Sequence, residues 1–388
     1  MNPEDDPQGV LGRLFGSWNR LRENPVADIA LGFTPAGVAA DVQDASRAIG
    51  EGDLVGLGLA GVGMVPGVGD ALKTVGKALR RRRTVASMFS GGGTLEGAME
   101  GIENVLASEV DPDALEQLSR VVGRQMEPMD VLELDPEVIA KADPDLLHAS
   151  PVCTRFSCAN KSAGEIADDV RAAQAVARTI IEARPRAVSI ENVPAYLKSE
   201  SYQGVIRPAL ERAGYNFDEG VYNAADFGGI QDRSRMITRA VREGDLPEIP
   251  ATTPRGDWYS ALEDLIEEAP ETSAVPRWEM DRIRAMADRG TISLDEPIIT
   301  MGGSAGRSTA YARNPGVPAP TLKAGREKPR ILLPEGSTRE VTPAMMRRIM
   351  GLPEEYPLPE NFYRAKSVLG KGMEGNLTRA LIEPLTRR

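Results

Sequence analysis

Thr84-Val-Ala-Ser-Met-Phe-Ser-Gly-Gly-Gly-Thr94 is the stretch on which the fold turns. Thr84–Phe89 is a short apolar run of strand length, and Ser90-Gly-Gly-Gly-Thr94 breaks it as a turn. Leu95–Glu100 then opens a helix. Glycines placed between a first strand and a helix let the backbone come close to a nucleotide-like ligand, with the helix N-terminus behind it. Such turns are common, so the neighbouring chain must carry the rest.

Working outward, the same rhythm repeats. Val105–Val110 reads as a second strand, and Asp111-Pro112 starts a helix with proline at its first position. Leu146–Ala149 is a further strand. Residues 168–184 carry Val170, Ala173, Ala177, Ile180 and Ile181 at helical spacing, and Ala187–Ile190 is a strand after Arg184-Pro185. Strand–helix units in series predict an α/β fold with a parallel sheet and helices on both faces. From Thr253 to Glu335 the rhythm is lost, and Pro, Gly, Arg and Ser become common around helical pieces near Tyr259–Glu268 and Trp278–Asp288. Helical segments return near Pro343–Met350 and from Leu377.

Composition sets the outer bounds. The chain has 388 residues and 41% hydrophobic residues, enough for a large domain and smaller pieces. No apolar run reaches the roughly 18 residues that argue for a membrane span. Met1–Gln8 is acidic and lacks the pattern of a signal peptide, so a cytoplasmic protein is expected. The two cysteines, Cys153 and Cys158, make no disulfide framework. With His148 as the sole histidine they make no zinc site either, which leaves a reactive thiol or two small hydrophobes. Net charge is −11, yet residues 301–388 hold about 15 Lys and Arg against about 8 acids. A basic final quarter on an acidic body suits a protein that grips a polyanion with one region.

Residues 1–83 stand apart. They are rich in Ala, Gly and Val, read as a compact helical extension, and end in Arg80-Arg81-Arg82-Arg83, a basic linker. In composition they loosely resemble the small-residue helical modules that precede effector domains in bacterial toxins and phage polyvalent proteins.

Two loops at strand ends carry candidate chemistry. Ser150-Pro-Val-Cys-Thr-Arg-Phe-Ser157 follows the strand Leu146–Ala149, and Glu191-Asn-Val-Pro194 follows a later one. Open α/β sheets bind their ligands at such carboxyl ends. A thiol and a glutamic acid there make a nucleophile and a proton-handling group. Glu109 ends the second strand about 20 residues after the glycine turn, where a carboxylate can hold ribose hydroxyls. Asp130 sits where another strand could end and could contact an adenine.

Order and spacing over residues 84–388 resemble the DNA cytosine-5 methyltransferase family. Phe89–Gly93 looks like its first motif, Phe-x-Gly-x-Gly, and Glu109 and Asp130 look like its cofactor acids. Pro151-Val-Cys153, continued by Phe156-Ser157, looks like its Pro-Pro-Cys loop, and Glu191-Asn192-Val193 matches its Glu-Asn-Val motif. Gln231-Asp-Arg233-Ser-Arg235 matches Gln-x-Arg-x-Arg and is preceded by Ala225-Asp-Phe-Gly228. Arg339-Glu-Val-Thr-Pro343, with Arg348 and Gly351-Leu-Pro353, resembles the motif after the recognition domain. Gly375-Asn376 resembles the last motif, which in the family folds back beside the first.

The resemblance implies a Rossmann-like methyltransferase fold that binds S-adenosylmethionine, with a catalytic domain over residues 84–252. A smaller irregular target recognition domain would occupy 253–335, and 336–388 would return to the catalytic domain. The cofactor would meet Phe89, Ser90, Gly91, Gly93, Thr94, Glu109, Val110, Asp130, Val131, Pro151 and Asn376. The substrate would be a cytosine flipped out of double-stranded DNA. Cys153 would add to carbon-6, Glu191 would hydrogen-bond ring nitrogen 3, and Arg233 would contact the base oxygen and orient the Cys153 loop, with Arg235 beside it. Ser157, Gln231, Arg307, Arg313, Thr321, Lys323 and Arg326 would meet the nucleic acid. Neither metal nor membrane is implied, and a monomer is expected. The chain departs from the family at Val152 for the second Pro, Thr154 for Gln, Met345 for Glu and Thr378 for Val. Two other readings stay open: a non-catalytic cofactor-bound DNA-binding protein, and the same chemistry on RNA.

Overall fold

The computed structural model describes residues 82–152, 165–301 and 312–387. Arg82–Arg388 packs as one compact unit. The expected helical extension lies outside the described residues up to Arg81, and Arg83 is already part of the first strand.

Four strands run parallel: β1 (Arg83–Met88), β2 (Ile102–Ser108), β3 (Leu146–Ala149) and β4 (Ala187–Asn192). Next come β5 (Asn216–Asn223), the two-residue β6 (Gln231–Asp232) and β7 (Ser234–Val241). The main sheet has the order β2-β1-β3-β4-β7-β5. This corrects the all-parallel expectation. β7 turns back directly from β5, with Asn223 opposite Ser234, and so runs antiparallel between β4 and β5. Short connections allow only antiparallel neighbours, whereas the parallel strands are joined through helices.

Both faces of this sheet are apolar, because neighbouring residues of one strand point opposite ways. Ala86, Met88, Leu147, Val188 and Ile190 pack with Ala173, Val176 and Ile180 on one side. These last three belong to a helix over Ala167–Ala183, the one expected from its apolar stripe, although Ile181 turns outward. Val85, Leu146, Ala187 and Ile237 pack on the other side with Met373, Leu377 and Leu381 from the end of the chain. The helix Pro112–Val122 follows β2 as expected, with Asp111 accepting hydrogen bonds from the amides of Asp113 and Ala114. No strand precedes Asp130: residues 125–130 are unpaired, held by Met129 N donating to Glu109 O at 3.0 Å.

The irregular region contributes helices Trp258–Glu268 and Arg277–Asp288. It also contributes β10 (Ala319–Pro320), which pairs with β6, and most of a small sheet, ordered β12 (Thr338–Glu340), β11 (Arg330–Leu332), β8 (Ile298–Thr300) and β9 (Ala312–Arg313). The expected boundary at 335 falls in the turn between β11 and β12. Trp258, Leu262, Ile299, Leu322 and Ile331 share one core with Met345, Ile349, Tyr356 and Leu369. Residues on either side of 335 are therefore packed as one body.

Candidate active site

All four parallel strands end on one edge of the sheet, and their register fixes what meets there. Met88 lies opposite Ser108 on one side and Ala149 on the other, and Ala149 lies opposite Ile190. The residues that follow, Phe89–Gly93, Glu109, Ser150–Pro151 and Glu191–Asn192, are thus gathered on one rim. Ser90 N donates to Ser108 O at 3.1 Å and Ser150 N to Met88 O at 3.2 Å, which carries the pairing beyond the strands proper.

The glycine turn bends sharply. Gly91 and Gly93 have φ of 56° and 73°, and Phe89, with φ of 58°, also adopts the left-handed region. A non-glycine residue in that region costs of the order of 1 kcal/mol, a strain that clusters at functional sites. Glu109 ties the turn to the second strand. Its Oε2 accepts from Gly91 N and its Oε1 from the amides of Val110 and Asp111, all at 2.8 Å. Val110 is exposed beside it, Val131 is buried, and Asp130 is exposed with one carboxylate oxygen accepting from Leu132 N. The end of the chain packs against the same turn. Met373 N donates to Thr94 Oγ1 at 2.8 Å, and Tyr356 donates from its hydroxyl to Gly92 O at 2.7 Å. The Asn376 side chain bridges Glu374 and Arg379.

Glu191 occupies the middle of the rim, 7% exposed. Its Oε1 pairs with Arg235 Nε at 2.9 Å, and its Oε2 accepts from Ser150 Oγ at 3.0 Å. Arg235 arrives here because β7 runs antiparallel to β4: Asn192 lies opposite Met236, so the residue before Met236 reaches past the strand end. Asn192 clamps the loop that leads to Cys153, its Nδ2 donating to Pro151 O at 2.9 Å. Cys153, Thr154, Ser157, Cys158 and Arg307 lie outside the described residues.

Arg233 faces the interior. It is fully buried, and its guanidinium donates to Leu322 O at 2.9 Å, Gly370 O at 3.1 Å and Gly372 O at 2.7 Å. Three carbonyls engage its guanidinium in this arrangement. Gln231 is placed in a similar way. It is fully buried, donates to Ile349 O at 2.7 Å and accepts from Leu322 N at 3.2 Å. Asp232 between them pairs with Arg255 at 3.1 Å and Arg313 at 3.4 Å, and the Thr321 hydroxyl donates to its carbonyl. Lys323 and Arg326 remain exposed. The motif therefore divides its labour: two side chains fasten the later segments of the chain beneath the rim, and Arg235 alone reaches Glu191.

A carboxylate, glycine amides, a strained aromatic turn and a paired glutamate on one sheet edge form the site. The C-5 cytosine-specific DNA methylase family model matches residues 83–387, which spans the whole of it. The chain belongs to this family. Among its relatives, the Type II methyltransferase M.HhaI of Haemophilus parahaemolyticus is 27% identical over 304 residues, 75% of this chain and 90% of that protein. M.XorII of Xanthomonas oryzae is 32% identical over 155 residues, 38% of this chain, and the match spans only 35% of M.XorII. The methyltransferase EhMeth of Entamoeba histolytica superposes with a TM-score of 0.55 at 14% identity, over 79% of this chain and 98% of that one, a likeness of fold. Composition weighed His148 only as a zinc ligand and gave no sign of Ser189. The alternation His148-x-Ser150 and Ser189-x-Glu191 is in the sequence, but only the strand register brings the two pairs together.

Proposed function

We propose that the protein methylates carbon-5 of a cytosine flipped out of double-stranded DNA, through a covalent adduct on Cys153. The observation that carries this reading is the Ser150–Glu191–Arg235 group, held at the mouth of the loop that leads to Cys153.

The residues of the rim suit S-adenosylmethionine. The Gly91 amide and the Glu109 carboxylate can serve its polar ribose and amino-acid parts, and Phe89 and exposed Val110 offer apolar walls to an adenine. When bound, it supplies the electrophilic methyl group that carbon-5 takes up. Replacing Glu109 with Ala removes acceptors for both the turn and the ribose. It is expected to weaken cofactor binding roughly tenfold or more, read by titration calorimetry. Unchanged affinity would place the cofactor elsewhere.

The protein's own steps concern the base. Cytosine carbon-5 is a poor nucleophile, and addition of the Cys153 thiolate at carbon-6 makes the ring enamine-like. Glu191, fixed by Ser150 and Arg235, presents its carboxyl group to ring nitrogen 3 and takes up the charge that develops there. Arg235, in place of Arg233, is the cation positioned to serve the base oxygen. The carbon-5 proton then passes to solvent water, its electron pair restores the ring double bond, and the Cys153 thiolate leaves while ring nitrogen 3 returns its hydrogen to Glu191. Exposed Lys323 and Arg326, with Arg307, would grip phosphates or read guanine edges within the 253–335 target-reading region.

Glu191→Gln keeps the shape of the side chain but loses the acid. It is expected to slow transfer by roughly 100-fold or more. Incubation with methyl-labelled S-adenosylmethionine and mixed-sequence DNA reads both points. Label in DNA from the unaltered protein supports the reading. Label entering tRNA and not DNA, or cofactor binding without any transfer, would replace it.

A further inference from the structure

His148 is buried one register position deeper than the site, and no step above uses it. It lies opposite Ser189 across the β3–β4 pair. Its Nδ1 is 2.8 Å from Ser189 Oγ and its Nε2 is 2.9 Å from Ser150 Oγ. Ser150 Oγ is in turn 3.0 Å from Glu191 Oε2, and Glu191 Oε1 pairs with Arg235. Ser189, His148, Ser150, Glu191 and Arg235 therefore form one unbroken chain, built from alternate residues on one face of two adjacent strands and closed by β7. We infer that His148 is a positioning residue for Glu191, acting through Ser150. The inference rests on the reading of Glu191 given above.

The direction of the chain follows from counting hydrogens. Burial holds the imidazole neutral by lowering its pKa to about 3, so it carries one N–H. Ser150 has one hydroxyl hydrogen. If the imidazole hydrogen sat on Nδ1, Ser150 would have to give its hydrogen to Nε2. The acidic hydrogen of Glu191 is needed at the base, so the Ser150 lone pairs would then face those of Glu191 Oε2 at 3.0 Å, a repulsive contact. With the hydrogen on Nε2, every member is satisfied: Ser189 donates to Nδ1, Nε2–H donates to Ser150, and Ser150 donates to Glu191. His148 thus occupies the acceptor side of Ser150 and commits its single hydrogen to Glu191. The carboxyl group is held between two fixed donors, Ser150 and Arg235, in the plane from which it must meet the base. In a buried setting such a chain stiffens as a unit.

Four single variants and one double variant test this in full-length protein. His148→Leu keeps the bulk and removes both ring nitrogens. His148→Gln restores a donor at nearly the place of Nε2–H. Ser150→Ala removes the last link and leaves His148 packed. His148→Leu and Ser150→Ala are each expected to lower kcat about tenfold, with KM for DNA and for S-adenosylmethionine unchanged. His148→Gln is expected to recover most of the loss. In a Glu191→Gln background, His148→Leu is expected to cost nothing further, because the group it positions is already gone. A kcat for Ser150→Ala or for folded His148→Leu within about twofold of the unaltered protein would overturn the inference. So would His148→Gln performing no better than His148→Leu, or an equal His148→Leu penalty with and without Glu191. Full turnover by Glu191→Gln alone would instead bring down the Glu191 reading, and the inference with it.

Discussion

Cys153→Ser is expected to abolish methyl transfer while leaving cofactor binding and thermal unfolding as they were. A serine hydroxyl at this position is about five or more pKa units less acidic than a thiol and a far weaker nucleophile toward carbon-6. Nothing else in the chain can supply the covalent step, since Cys158 is the only other thiol. The surroundings fix the choice between the two. Cys153 lies two residues beyond Pro151, whose carbonyl Asn192 holds at 2.9 Å, and three beyond Ser150, which donates to Glu191. Cys158 stands seven residues beyond Pro151 in the sequence. Loss of transfer in Cys153→Ser with normal transfer in Cys158→Ser is the expected pair of results. The reverse pair would move the nucleophile to Cys158. DNA carrying 5-fluorocytosine adds a second reading. Fluorine at carbon-5 cannot leave as a proton does, so the adduct through Cys153 is expected to persist as a denaturant-resistant band. An active enzyme that leaves no such band would contradict the covalent route. Val152, exposed where the family carries a second proline, bears on rate and not on identity. Proline removes φ freedom from the loop, and valine returns some of it.

The parts of this protein most legible in the sequence are those written in short range. β3 spans Leu146–Ala149 as read, and the helix expected over 168–184 is observed over Ala167–Ala183, because apolar spacing and flanking Asp and Pro act locally. Strand ends followed by Gly, Cys or Glu pointed to one rim for the same reason. β5 and β7 were not legible. Asn216–Asn223 carries Asp218, Glu219 and Gly220, which weaken any strand pattern, and it becomes a strand only by pairing with β7. The burial of Arg233 is decided at long range. Arg233 and Arg235 have the same parity in the sequence, and both belong to the same motif. Which one reaches Glu191 depends on the break between β6 and β7 and on carbonyls at Leu322, Gly370 and Gly372, far along the chain. No spacing rule contains those partners. His148 was missed differently. It was weighed as a zinc ligand, whereas its partners are hydroxyls on a neighbouring strand, visible only once the register of β3 and β4 is fixed.

Arg233→Met is expected to destabilise the folded protein by about 3 kcal/mol or more, with the loss seen as a lower urea midpoint. The substitution fills a similar volume but leaves one buried and two half-buried carbonyls without this donor, and a buried orphan costs about 1–3 kcal/mol. Those carbonyls belong to two separate segments, the Leu322 loop and the Gly370–Gly372 turn, and the latter packs against Thr94 in the glycine turn. Loosening Arg233 therefore loosens the cofactor rim from below. Weaker S-adenosylmethionine binding should follow from the lost stability and be recovered at lower temperature. Arg235→Gln provides the contrast. That side chain is partly exposed and pairs with Glu191 across the site, so its loss is expected to lower kcat with little change in the urea midpoint. The two arginines stand two residues apart in one motif, and the comparison separates scaffold from chemistry. A stable Arg233→Met protein with impaired turnover would reverse the assignment. It would mean that the guanidinium leaves its carbonyls when DNA binds and serves the base after all.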